Sequence, residues 1–130
     1  MTTRNWFITG TSTGFGRALT EKLLARGDRV AATVRNTVAL EDLKTQYGDR
    51  LWVAVLDVTD TQGVRRVVDH AFAKMGRIDV IVNNAGYGLF GAAEELSEDQ
   101  IRRQLDTNLI GSISVIRACL AHLQIGRAHV

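Results

Sequence analysis

At 130 residues the chain has the length of one ordinary domain. Hydrophobic residues at 45% and charged residues at 23% exclude a disordered or fibrous polymer. The net charge of +2 is small, with thirteen arginines against three lysines, and neither a charge cluster nor an aromatic ladder points to nucleic acid.

Residues 1–6 lack the apolar core of a leader peptide, and no later run is long enough to span a bilayer, so a cytoplasmic location is expected. Short apolar runs alternate with longer helical periods, the pattern of βαβ units around a parallel sheet. The first strand is read at 6–9. After a glycine-bearing turn, Phe15, Leu19, Leu23 and Leu24 recur at helical spacing until Gly27. Strand two, 30–34, is continuous in small and β-branched residues, as a strand buried on both faces should be. Thr37 is read as the cap of a helix reaching about Tyr47, with Gly48 beyond it.

Strand three, 51–56, ends on Asp57. Asp60 then caps a helix with Val64, Val67, Val68, Ala71, Phe72 and Met75 on one face, ended by Gly76. Strand four, 80–82, runs into Asn83-Asn84-Ala85-Gly86, and a loop rich in glycine and aromatics follows at 87–91. Ser97-Glu98-Asp99-Gln100 has the form of a capping box. It opens one long helix to about Leu123, apolar at Leu105, Leu109, Ile110, Ile113, Val115, Ile116 and Leu120, so burial on several sides is expected. Arg65-Arg66 and Arg102-Arg103 read as solvated helix faces. The lone cysteine, Cys119, permits no internal disulfide, fits a reducing compartment and reads as a packed thiol.

The turn Thr9-Gly10-Thr11-Ser12-Thr13-Gly14-Phe15-Gly16 lies between a strand and a helix, where a phosphate-binding turn has to be. A helix N-terminus offers free N–H groups and partial positive charge, and glycines let a phosphate approach the backbone. The hydroxyls of Thr11, Ser12 and Thr13 are candidate additional donors. Asp57 stands at the carboxyl end of a parallel strand, where ligands bind in open α/β sheets. Asp60 already serves the helix start, which leaves Asp57 available. Asn83 and Asn84 follow a buried strand, where their amides either brace loop backbone or line a ligand. Asn108 interrupts the apolar helix between Leu105 and Ile113, and a buried amide there would need a partner, since an unsatisfied one costs roughly 1–3 kcal/mol.

With Thr9-Gly10-x-x-x-Gly14-x-Gly16, Asp57-Val58, Asn83-Asn84-Ala85-Gly86 and Asn108 in this order, the sequence resembles the short-chain dehydrogenase/reductase family from residue 5 to about 123. The resemblance implies a Rossmann-like, doubly wound α/β parallel sheet, here truncated after about four strands and the following long helix. It implies a pyrophosphate on the turn from Gly10 through Thr11, Ser12, Thr13, Gly14 and Phe15 to Gly16. Asp57 and Val58 would lie beside the adenine, and Asn84, Ala85 and Gly86 would line the cofactor. Asn108 would belong to a catalytic tetrad with a serine, a tyrosine and a lysine. A helix at the place of the last one packs against another subunit in the family, which implies a homo-oligomer. The substrate would be a small carbonyl or alcohol; no metal, nucleic acid or membrane is implied.

Cofactor choice is read from the end of strand two. NAD sites place a carboxylate there against the ribose 2′-hydroxyl, whereas NADP sites place an arginine against the 2′-phosphate. Here Arg35-Asn36 follows the strand and no acid occurs until Glu41, so NADP is expected over NAD. The family's Tyr-x-x-x-Lys pair is not found: Tyr47 and Tyr87 are followed four residues on by Leu51 and Gly91. The 130 residues alone are therefore expected to be inactive, as the N-terminal part (1–124) of an oxidoreductase. A complete non-catalytic NADP-binding or interaction module is the alternative. Residues 125–130, Ile-Gly-Arg-Ala-His-Val, are expected to be a non-native or truncated tail. The codons ATC GGA AGA GCA CAC GTC would encode them and match the start of a common sequencing adapter.

Overall fold

The computed structural model describes residues 2–86 and 95–123. The expected loop at 87–91 and the tail at 125–130 lie outside the described residues. The chain runs β1 (Asn5–Ile8), α1 (Gly14–Ala25), β2 (Arg29–Val34), a 3₁₀ turn (Thr37–Leu40), α2 (Glu41–Tyr47), β3 (Leu51–Val55), α3 (Thr61–Met75) and β4 (Val80–Val82). It continues through α4 (Glu98–Leu105), a π-helical turn (Asp106–Ile110) and α5 (Gly111–Leu123). The strands pair in the order β3-β2-β1-β4, all parallel, as the βαβ pattern requires.

Strand side chains alternate between two cores. Phe7 pairs with Ala31 and Ile81 and faces α3 and α5, where Val64, Val68, Val115 and Cys119 complete one layer. Ile8 and Ala32 point the other way, onto Leu24, Leu40 and Leu51 beneath α1 and α2. Cys119 is 1% exposed, and burial pushes its thiol up to about 12, which makes it an inert core residue. At the amino ends of the strands, buried Asp28 accepts from the Arg4 N–H and Trp6 Nε1, and Asn5 Nδ2 donates to the Arg77 carbonyl. That end of the sheet is closed by protein groups.

The helix starts show why the boundaries fall where they do. Asp60 Oδ1 accepts the Gly63 N–H at 3.0 Å, starting α3 as expected. Ser97 and Gln100 exchange both bonds of a capping box at the start of α4. Two expectations need correction. Asn36, not Thr37, caps the segment after β2, because its Oδ1 accepts the Val38 N–H while Thr37 already belongs to the 3₁₀ turn.

The long helix runs to Leu123 as expected, but it is not regular. At Asp106–Ile110 it widens, with the Gly111 N–H reaching back five residues to the Asp106 carbonyl. Val115 beyond this turn is fully buried, while Leu105 before it, Leu109 and Ile110 within it, and Ile113 and Ile116 after it remain about half exposed. Expected burial on several sides is thus realised on one side among the described residues. No described helix is long and apolar enough to cross a membrane.

Removing the α3 cap tests this account of helix starts. Asp60→Ala should lower stability by about 1 kcal/mol, read as an earlier urea midpoint at unchanged slope.

Candidate functional site

The carboxyl ends of the four strands open onto a cleft of about 480 Å³. It sits where the strand order reverses, since β2 and β3 extend to one side of β1 and β4 to the other. The turn after β1 contributes Gly10, Ser12, Thr13, Gly14 and Phe15 to its wall. Arg35 and Val34 come from the end of β2, and Leu56, Asp57 and Val58 from the end of β3. Asn84, Ala85 and Gly86 follow β4, and Thr107 enters from the π-helical turn.

The floor is the N-terminus of α1. Its first residue, Gly14, has φ +62°, a conformation that strains any side chain, and a Cβ there would meet nothing within 4 Å. The helix's first turn therefore faces open cleft. Thr13 occupies the cap position but makes no side-chain bond to the helix, and no acidic residue stands in the first turn. The first N–H groups thus keep their donors and partial positive charge for something outside the helix.

Behind the floor the turn is tied down. Thr9 Oγ1, 1% exposed, accepts the N–H groups of both Asn84 and Ala85 at 3.0 Å. Asn84 Nδ2 returns a bond to the Gly10 carbonyl at 2.9 Å. Gly16 packs so tightly here that a Cβ would collide with that same carbonyl oxygen and lie 2.5 Å from Asn84 Nδ2. Asn84 therefore braces the turn while lining the cleft, and Asn83 is exposed at the strand end.

Several candidate residues stand apart from the cleft wall. Thr11 is fully buried, and its N–H and hydroxyl both donate to the Thr33 carbonyl, so its hydroxyl is turned away from the cleft and anchors the turn to β2. Gly16 lies behind the floor, as its packing requires. Asn108 is exposed rather than buried. The π-helical turn places its Oδ1 beside Gly86, 2.8 Å from where a Cβ would stand, at the rim of the cleft.

Asp57 is exposed, with its Oδ1 accepting from the Thr59 hydroxyl at 2.7 Å and the Thr59 N–H at 3.0 Å. Those two bonds, with Arg35 and Arg103 nearby, hold its carboxyl below the ordinary carboxylate range against partial burial. Val34, Leu56 and Thr107 were not singled out from the sequence. The first two are strand-end residues indistinguishable from core, and Thr107 had only its polarity within an apolar helix to mark it.

The short chain dehydrogenase family model matches residues 4–129. The chain belongs to that family. Among curated relatives, Oxidoreductase BOA17 of Botryotinia fuckeliana is 42% identical over 123 residues, covering 94% of this chain and 45% of its own length. The NADP-dependent 3-hydroxy acid dehydrogenase YdfG of Escherichia coli is 34% identical over 114 residues, covering 87% and 46%. A short-chain dehydrogenase from Streptomyces avermitilis superposes with a TM-score of 0.90 at 40% identity, over 95% of this chain and 46% of that one. The structure of ElxO with NADP bound gives a TM-score of 0.86 at 28% identity, covering 95% and 52%. The chain spans about half the length of the curated relatives it matches. Members of this family are oxidoreductases.

The Thr9 clamp gives a direct test of how the site is built. Thr9→Val keeps the shape but leaves two N–H groups without their acceptor, and should lower stability by about 2 kcal/mol. Thr11→Val should lose less, about 1 kcal/mol, because its backbone N–H still reaches the Thr33 carbonyl. Thermal or urea melts of the two variants would read the difference.

Proposed function

We propose that the cleft binds NADP and that the protein to which these residues belong transfers hydride between NADP(H) and a small carbonyl or alcohol. The observation that carries this reading is the start of α1: an uncapped, acid-free helix N-terminus facing a cleft at the switch point. A pyrophosphate is the group such a terminus suits, with Gly14 leaving room for its approach and Ser12 and Thr13 offering hydroxyls. Asp57 and Val58 would take the adenine, and Asn84, Ala85 and Gly86 the wall opposite.

Arg35 decides between the two nicotinamide cofactors. Its planar fork suits a 2′-phosphate, and no carboxylate stands at the end of β2 to accept a 2′-hydroxyl instead. The NADP named with one solved neighbour and one relative agrees with this choice. When bound, the nicotinamide gives or takes the hydride. Asn108, at the rim beside Gly86, is the one tetrad candidate within these residues. A Tyr-x-x-x-Lys pair does not occur in the 130 residues, so we expect them to bind cofactor without turning it over. The reading keeps the protein cytoplasmic and, by the exposed apolar side of α4 and α5, oligomeric.

Titration with NADPH and NADH tests the proposal. Arg35→Asp should move preference from NADPH toward NADH, about tenfold for each 1.4 kcal/mol redistributed. A variant that keeps its NADPH preference would remove Arg35 as the discriminator. Gly14→Val should weaken both cofactors sharply, by filling the approach to the helix N-terminus. Its positive φ adds about 1–3 kcal/mol of backbone strain, so the fold should be less stable as well. Unchanged affinity in that variant would take the phosphate role away from this turn.

A further inference from the structure

Arg17 stands on the fourth residue of α1, just behind the phosphate turn, and its guanidinium does not line the cleft. All three of its nitrogens are engaged. Nε donates to Glu21 at 3.0 Å, Nη1 to the Ala39 carbonyl at 2.6 Å and Nη2 to Asp42 Oδ2 at 2.6 Å. Two of these partners lie in the segment that follows Arg35: Ala39 in the 3₁₀ turn and Asp42 in the first turn of α2.

Between Val34 and Ala39 that segment has few ties, whereas Leu40 and Leu43 beyond it are buried in the core. Residues 35–38 are all exposed, and the bonds from Val38 and Ala39 to Asn36 stay inside the segment. The Leu56 N–H holds the Val34 carbonyl before it, and Leu40 is buried in the core after it. Through Ala39 and Asp42, Arg17 ties the end of this exposed stretch to the helix bearing the phosphate turn.

We infer that Arg17 is a positioning residue for cofactor selection: it fixes the distance between the α1 N-terminus and the Arg35 loop. The inference rests on the reading of Arg35 as the 2′-phosphate group's partner. A ligand carrying phosphates at both places draws on both elements at once, and a loop already held needs no ordering when it binds. A ligand lacking the second phosphate makes no such demand on the loop. Loss of Arg17 should therefore weaken NADPH more than NADH, whereas a merely structural role would weaken both alike. Lysine keeps a charge for Asp42 but not the fork that also reaches Ala39, so it should restore only part of the effect.

The test is equilibrium titration of the full chain its gene encodes with NADPH and with NADH, below the melting range of every variant. Arg17→Gln should lose about tenfold in NADPH affinity with NADH changed less than about twofold, and Arg17→Lys should recover about half of that loss on a logarithmic scale. Asp42→Asn, a surface change that removes one limb of the clamp, should lose about threefold for NADPH alone and serves if Arg17→Gln does not fold. A wild type that prefers NADPH, with variants that weaken both cofactors equally or neither, overturns the positioning role while leaving Arg35 in place. A wild type without NADPH preference overturns the Arg35 reading and this one with it.

Discussion

Everything at the carboxyl edge of the sheet depends on how closely residues 9–16 approach residues 84–86. β1 and β4 are joined by a ladder of three residue pairs, Trp6–Val80, Phe7–Ile81 and Ile8–Val82. Beyond Ile8 the Thr9 N–H still donates to the Val82 carbonyl, and the Thr9 hydroxyl then holds Asn84 and Ala85 on the β4 side. The Asn84 amide then holds the β1 side through the Gly10 carbonyl. This reciprocal pair leaves no room for a side chain at Gly16, which is why α1 starts so near the strand ends.

Cap and charge together separate support from site at the helix starts: α2 also lacks a side-chain cap but carries Glu41 and Asp42 in its first turn. α3 receives an aspartate cap, and α4 a reciprocal capping box with Glu98 and Asp99 in its first turn. These are the residues a helix uses when stability is the only demand. α1 forgoes both, although Thr13 occupies the cap position and has the hydroxyl to serve it. A missing cap bond costs about 1 kcal/mol. Local rules are most often broken at functional sites, and here the broken rule leaves donors directed into a cleft. An acid in the first turn would strengthen the helix and repel the anion that the cleft suits.

The strands, the caps of α3 and α4 and the glycine turn were legible because each depends on neighbours in sequence. Val30 to Val34 read as a strand from composition, Asp60 as a cap from its place before an apolar period, and the turn from its glycine spacing. What escaped depends on contacts distant in sequence. Thr11 and Thr13 look alike in the turn, yet the Thr33 carbonyl, twenty-two residues on, claims the Thr11 hydroxyl. Arg17 had no mark of its own, since its partners Ala39 and Asp42 lie across a strand and a turn. Asn108 was read from periodicity as a face residue of a regular helix, and periodicity carries no signal for a change of helical pitch.

That change of pitch explains how one helix serves three purposes. A π turn inserts one extra residue, which rotates all that follows by about 100° relative to an uninterrupted α-helix. Before it, α4 presents charged residues and Ile101 to the outside. Within it, Thr107 reaches the cleft and Asn108 meets Gly86. After it, Gly111 lies against Val58, where a Cβ would come 2.6 Å from Cγ2, and Val115 and Cys119 enter the core under β1. The Ser112 hydroxyl donates to the Asn108 carbonyl across the disturbed turn, supplying a bond where the regular ladder is altered. A regular helix drawn through α5 in its packed position would carry Thr107 and Asn108 to a different side. The rim of the cleft thus depends on an irregularity in the helix as much as on the glycines of the opposite wall.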